Sequence, residues 1–189
     1  MSTEFELPES TDKRLNKAVA MTVVSLSVFL GLAHVKDDNL VQAMQQAKAD
    51  AVDTWGEYQA NKIKLHITEG QADDLGVLAK LAKDPAPALA LYKAAQDKIA
   101  KYQAKAPELM AKAKGFEAAY DQMNYHDDQF DAADALVSIA ISAAAVAALT
   151  ESLWVLLASW LFGGLGVVMG LAGFFGWAIH PDFLAKFLS

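Results

Sequence analysis

The residues of this chain best suited to chemistry are three groups of histidine and aspartate, each at one end of an apolar segment. They are HVKDDN at 34–39, HDDQFDAAD at 126–134 and HPDF at 180–183. Imidazole and carboxylate groups together can bind a divalent metal ion, and rings of carboxylates concentrate cations. The candidate site residues are His34, Lys36, Asp37, Asp38, His126, Asp127, Asp128, Asp131, Asp134, His180 and Asp182.

Three interpretations of these groups are open. In the first, Asp131 and Asp134 cap the start of an apolar helix, and the other acids form a solvated rim. In the second, an oligomer arranges the carboxylates around a pore mouth that attracts cations. In the third, histidine and aspartate bind a divalent metal ion, although their spacing matches no tight metal-binding motif.

The elements that position these groups follow from the segregation of polarity in 189 residues that are 54% hydrophobic and 21% charged. Apolar segments cover 18–35, 135–150 and 153–179. Because about 20 apolar residues cross a bilayer, we predict transmembrane helices at 13–35, 131–150 and 153–179. A secretory signal peptide is the alternative for the first segment, but its apolar run is long and no small-x-small cleavage site precedes KDDN.

Residues 36–130 are polar, and their apolar positions recur every three or four residues, which is typical of helices. One stripe is Leu40, Met44, Ala47, Ala51, Trp55, Tyr58 and Leu65, and a second begins at Leu91 and Tyr92. The sequence DPAPA predicts a break at 84–88, and we expect Pro107 to kink or interrupt the second helix. The thin stripes favour an oligomeric bundle, with a monomeric hairpin as the alternative.

The predicted fold is therefore an all-α integral membrane protein with three transmembrane helices plus a long extramembrane helical, coiled-coil-like hairpin. Residues 1–12 are predicted to be a disordered tail and residues 180–189 a short C-terminal tail. In the third segment, small residues on one side allow close approach of another helix, either 143–148 or another subunit. These helix-packing positions are Gly163, Gly166, Gly170 and Gly173.

The short turn at 151–152 predicts which residues of the second and third segments lie level, namely those whose residue numbers sum to about 303. By that count Asp131 lies at the membrane interface and Asp134 about one turn inside it. Counting from Lys17 puts His34 at a similar depth, so His34 is the predicted partner of Asp134, with Lys36 next. His126, Asp127 and Asp128 are expected in water, and Trp154, Trp160, Trp177, Tyr125 and Phe130 at the interface.

The net charge of the chain and its lack of known enzyme motifs argue against several classes of function. The net charge of −7 without a basic stripe argues against nucleic-acid binding. The sequence has no P-loop, nucleophile elbow, HExxH or dinucleotide motif, so we predict neither an enzyme nor a cofactor. His66 is predicted to be a surface residue. Lys13, Arg14 and Lys17 predict a cytoplasmic N-terminus and a periplasmic hairpin.

Three blocks in order resemble one family: VKDDNLVQAMQQAKADAVDTWGEYQANKIK, HDDQFDAADALVSIAIS and GVVMGLAGFFGWAIHPD. They are similar to the bacterial membrane proteins grouped as domain of unknown function 4337. The resemblance implies a small integral membrane protein of bacteria, and it brings no catalytic residues. We predict the bacterial cytoplasmic membrane as its location. We expect a membrane-anchored homo-oligomeric scaffold, with the lipid bilayer and cations at the acidic rim as partners, or alternatively a cation-conducting or proton-linked pore.

Overall fold

The computed structural model describes residues 13–179, and over that range the chain forms three α-helices and no strand. Helix α1 covers Lys13–Leu81, α2 covers Ala86–Thr150 and α3 covers Leu153–Phe175. Each helix contains a stretch long and apolar enough to cross a membrane. The prediction of an all-helical chain with three such stretches is confirmed. The predicted tails at 1–12 and 180–189 lie outside the described residues.

The predicted break between the long helices is shorter than the sequence suggests. The connection is residues 82–85 rather than 84–88. The carboxylate Oδ1 of Asp84 accepts a hydrogen bond from the backbone N–H of Ala86, 3.1 Å away, and so satisfies one free donor at the start of α2. Pro87 lies in the first turn of α2, where a missing N–H costs little because no carbonyl precedes it in the helix.

Helix α2 continues through Pro107, so of the two expected outcomes, a kink or an interruption, the interruption does not occur. A proline inside a helix removes one hydrogen bond at a cost of about 3 kcal/mol. Pro107 is exposed, which lets water bind the carbonyl that loses its partner. The burial of Ile99 and Leu109 on either side keeps the helix packed across this point.

The chain divides into two compact units. The three-helix unit contains the described residues 13–42 and 123–179, that is, the start of α1, the end of α2 and all of α3. The two-helix unit is Ala43–Gln122. Helices α1 and α2 therefore each pass, without a break in hydrogen bonding, from an apolar segment into a polar one.

In the three-helix unit, the glycines of α3 fit against side chains of the other two helices. A Cβ atom added at Gly166 would lie 2.7 Å from Val137, and one at Gly170 would lie 2.6 Å from Phe29. Ala140 faces Gly163 in the same way. The facing pairs of α2 and α3 have residue numbers that sum to 303, as the short turn predicts: 140 and 163, 137 and 166, 133 and 170, 130 and 173. The glycine stripe thus packs within the chain.

Helix α3 ends at Phe175, four residues before the end of the predicted third segment. Gly176 follows with a φ of 66°, a left-handed conformation that glycine adopts without a Cβ penalty. The backbone N–H of Trp177 then bonds the carbonyl of Ala172 at 2.9 Å and closes the helix end. Residues 176–179 are a turn rather than a continuation of the span.

In the two-helix unit, α1 and α2 meet along a seam of alternating three- and four-residue spacing. Much of it matches the sequence prediction, including Met44, Ala51 and Leu65. Three buried polar residues were not predicted: Thr54, Asn61 and Thr68. The amide of Asn61 donates to the carbonyl oxygen of Tyr102 at 2.8 Å and so links the helices. The buried positions of α1 are Met44, Ala47, Ala51, Thr54, Asn61, Leu65, Thr68 and Ala72.

Candidate functional site

His34 of α1 and Asp134 of α2 lie together, as the depth count predicts. Nε2 of His34 is 3.2 Å from Oδ1 of Asp134, and the hydroxyl of Ser138 donates to the same oxygen at 3.3 Å. The side chains of His34 and Asp134 are 54% and 49% exposed. Lys36, the second predicted partner, forms no ion pair within the described residues. The pair therefore joins two helices at their outer surface.

One turn further along α1, the carboxyl group of Asp37 faces that of Asp127 on α2. Several causes together raise the pKa of Asp37 to about 6. Burial is the largest, and the charges of Asp127 and Asp131 and a hydrogen bond with Asp127 act in the same direction. Burial also raises the pKa of Asp127, while its hydrogen bond with Asp37 opposes the rise. Oδ1 of Asp37 is buried without a hydrogen-bond partner. Two carboxyl groups in this arrangement are stabilised when they share one proton.

The surroundings of this acidic pair correct one prediction. Asp127, Asp128 and His126 are half-buried, not fully in water. Asp127 faces Asp37 of α1, whereas His126 packs near Gln129 and Gly176. Asp38 and Asp131 are exposed, so the acidic cluster has one buried side and one open side.

Gln129 is the functional-site neighbour that sequence reasoning missed. Its side chain is fully buried, and its amide donates to the carbonyl oxygens of Trp177 at 2.9 Å and of Ile179 at 2.5 Å. Its Oε1 lies 3.0 Å from Nδ1 of His126. Gln129 therefore holds the turn at 176–179 against α2. The sequence indicated the burial of Gln129 only by placing this uncharged residue within the acidic run HDDQFD.

Two of the residues predicted at the membrane interface have other roles. Phe130 is 3% exposed, and its ring occupies the space where a side chain at Gly173 would be. The indole N–H of Trp160 donates to the hydroxyl of Thr22 at 2.8 Å, so it ties α3 to α1. Trp154 remains strongly exposed near the start of α3.

The acidic residues do not form a recognisable metal centre in the part of the chain that the structure describes. No group of three or more histidine, aspartate or glutamate side chains between residues 13 and 179 is placed to hold a metal ion. His180 and Asp182, the third predicted group, lie outside the described residues. Within 13–179 the arrangement provides a carboxyl pair that can bind a proton and a separate histidine–aspartate hydrogen bond.

Comparison with known proteins identifies a family and no activity. A family model described as a domain of unknown function, DUF4337, matches residues 15–176. That range contains both helical units described above. No curated protein matches the chain, and no solved structure matches it.

Proposed function

We propose that this chain, which belongs to the domain family of unknown function DUF4337, is a membrane-anchored scaffold that assembles from several copies through coiled-coil contacts of its two-helix unit. The role is structural rather than catalytic. The three apolar stretches would anchor it in a bacterial cytoplasmic membrane. Lys13, Arg14 and Lys17 favour a cytoplasmic N-terminus and a periplasmic two-helix unit.

The observation that supports assembly is a second apolar face on α1 within the two-helix unit. Ile63 and Ile67 flank the buried Leu65 by two positions each, which is roughly 200° around the axis at about 100° per residue. They are 60% and 57% exposed. We call this face the outer stripe of α1; it continues at alternating spacings of three and four residues through Gly70, Asp74, Val77 and Leu81.

A helix that is apolar on two opposite sides has to pack on both to remove that surface from water. One side of α1 packs on α2 through the seam at Leu65. The outer stripe has no cover, and Gly70 within it has open space where a side chain would project. The equivalent face of α2 is mainly Ala, Lys, Asp and Glu, so the outer stripe of α1 is the more apolar of the two faces. Large exposed apolar patches of this kind mark protein–protein contacts.

The test is the mass of the assembly in lipid nanodiscs or mild detergent, measured by native mass spectrometry. We expect the wild-type chain to be oligomeric and the double variant Ile63→Gln with Ile67→Gln to shift to smaller species. Leu89→Gln with Leu91→Gln is the matched control, because these residues are also exposed but lie on α2. A monomeric wild-type chain contradicts the proposal. Equal losses in both double variants would contradict the role of the outer stripe.

A second candidate function is a cation-conducting or proton-linked pore. The half-buried carboxyl pair of Asp37 and Asp127 favours it, because a group with a pKa near 6 exchanges protons readily near neutral pH. Liposome flux of K⁺ and H⁺ would be compared for wild type and for Asp131→Asn with Asp134→Asn. Asp97→Asn with Glu108→Gln, which changes two exposed acids on α2 of the two-helix unit, is the control. Absence of wild-type flux excludes the pore.

A further inference from the structure

One exposed surface of the three-helix unit, formed by α1 and α2, is polar, whereas the neighbouring surface of α1 is aliphatic. At one end lies the His34–Asp134 pair. Ser27 and Gly31 precede His34 by seven and three positions, and Ser138 and Ser142 follow Asp134 by four and eight, so all lie on the same face. All four are exposed. We call these six residues the polar face.

We propose that a second copy of this chain packs on the polar face, within the membrane. This inference rests on the proposed function, since it requires that the chain assembles and spans a bilayer, and it names a contact surface that the outer stripe of α1 does not include.

The His34–Asp134 pair is the first reason that the polar face needs a cover. Asp134 belongs to a predicted span and lies about one turn inside the apolar zone. Lipid tails offer no hydrogen bonds, so ionisable residues at this depth turn toward protein or a water-filled cavity. Yet about half of each side chain in the pair is exposed on the isolated chain. A neighbouring helix would remove that exposure.

The second reason is the contrast with the neighbouring surface of α1. There the exposed residues are large and aliphatic, including Val24, Val28 and Leu32, each about 61–62% exposed. Such side chains are well solvated by lipid. The polar face has only small residues beside the pair, and a Cβ atom added at Gly31 would meet nothing within 4 Å. Small residues let a second backbone approach closely, which is how helices associate in lipid.

The occupant that best fits this face is an identical chain. Copies inserted with the same orientation are related by an axis along the membrane normal, which puts equivalent residues at equal depth. The His34–Asp134 pair of one copy would then meet the same pair of the other. The hydrogen bonds of the described residues use Nε2 of His34 and Oδ1 of Asp134. A bond between the copies would use the imidazolium form of His34, whose Nδ1–H would donate to Oδ2 of Asp134 in the other copy.

The small residues of α3 do not compete for this role. Its packing glycines are already filled by Val137, Phe29 and Phe130 of the same chain. Gly164 is the exception, since a Cβ atom there would also meet nothing within 4 Å. It lies on a cavity of about 500 Å³ between α1 and α3, lined by apolar residues and by Thr22 and Trp160. Gly164 therefore serves as a matched control for Gly31.

The experiment uses the absence of cysteine from the chain. Single variants Ser138→Cys and Ser142→Cys are oxidised in membranes and compared with Leu161→Cys and Leu165→Cys, which are exposed on α3. We expect disulfide-linked dimers from the serine positions and none from the controls. In parallel, Gly31→Leu should lower the assembly mass measured by native mass spectrometry, whereas Gly164→Leu should leave it unchanged. Circular dichroism checks that both variants remain helical.

The outcomes separate the two proposals. If the wild-type chain assembles but cross-links through Leu161→Cys or Leu165→Cys, or if Gly31→Leu assembles normally, the polar face is not the interface and the scaffold proposal stands. If the wild-type chain is monomeric, both proposals fail. Gly31→Ala provides a smaller change: it should weaken assembly less than Gly31→Leu, and an effect of the opposite order would also overturn the inference.

Discussion

The two helical units differ in the surface that they expose. In the three-helix unit, small residues such as Gly166 allow close packing against Val137, and large aliphatic residues such as Val28 lie outside. In the two-helix unit, the seam alternates small residues with larger side chains such as Leu65 and Ile99, and most of the outer surface is polar. Water drives large apolar groups together, whereas in lipid close backbone contact and hydrogen bonds provide the attraction.

This contrast shows where each unit departs from its own rule. In the three-helix unit the departure is the exposed His34–Asp134 pair. In the two-helix unit it is the exposed Ile63 and Ile67 of the outer stripe. The His34–Asp134 pair is exposed where we predict lipid, and Ile63 and Ile67 are exposed where we predict water. Both proposals above interpret these places as contacts with further copies of the chain.

The largest expected effect comes from filling a seam glycine. In Gly166→Val, the Cβ atom would lie 2.7 Å from the Val137 side chain and 3.0 Å from its backbone nitrogen, which cannot move easily. We expect a loss of about 3 kcal/mol in the free energy of unfolding, at the upper end for overpacking. Gly164→Val, in open space, should change it by less than about 0.5 kcal/mol. Steric trapping in bicelles measures both, and equal losses would disprove the close contact.

The next effect compares the two amides that donate to a carbonyl on a separate segment. Gln129→Leu removes both bonds: the carbonyl of Ile179 loses its donor, whereas that of Trp177 keeps the backbone N–H of Ile179, so the change should cost about 2 kcal/mol. Asn61→Leu removes one bond, to the carbonyl of Tyr102, and should cost about 1 kcal/mol. Chemical unfolding in detergent gives both values. A larger loss of stability in Asn61→Leu than in Gln129→Leu would contradict this order.

A pH effect should be confined to the three-helix unit. The pKa of Asp37 rises from 3.8 to about 6 on folding, so the folded chain binds more protons than the unfolded chain between these values. Its contribution to stability is therefore fully present below pH 3.8 and is lost as the pH rises through about 6. Asp37→Asn should flatten this dependence and raise the Tm at pH 7.5. Asp74→Asn, at an exposed position of the two-helix unit, should leave the pH profile unchanged.

The smallest effects distinguish two histidine–carboxylate pairs. His66 lies 3.1 Å from Glu69 on the same helix and is exposed, as its predicted surface position implies, so His66→Ala should change stability by less than about 0.5 kcal/mol. His34 and Asp134 join two helices, and a double-mutant cycle should give a coupling of about 0.5–1 kcal/mol. Zero coupling in detergent would refute a contact that contributes to folding.

Sequence reasoning predicted some of these features well because they depend on local regularity. The contact of His34 with Asp134 and the facing pairs of α2 and α3 followed from a fixed rise per residue and a short turn. Helical periodicity found Met44 and Leu65 in the seam but also proposed Leu91, which is 59% exposed. Periodicity fails there because the buried stripe of α2 runs through Ala88, Ala95 and Ile99, and Leu91 lies beside it. Hydropathy could not identify Gln129, since its burial depends on carbonyls 48 and 50 residues away.

The sequence by itself determined the helical class, the three apolar stretches and the facing of α2 and α3 at the short turn. These follow from composition, spacing and chain geometry, which act over a few turns of helix. Only the tertiary structure decided which groups lose their water. It showed that the stripe from Gly163 to Gly173 packs within the chain, that Asp37 and Asp127 share a half-buried place, and that Ile63 and Ile67 remain uncovered. Burial depends on contacts between distant segments, and spacing along one helix does not specify them.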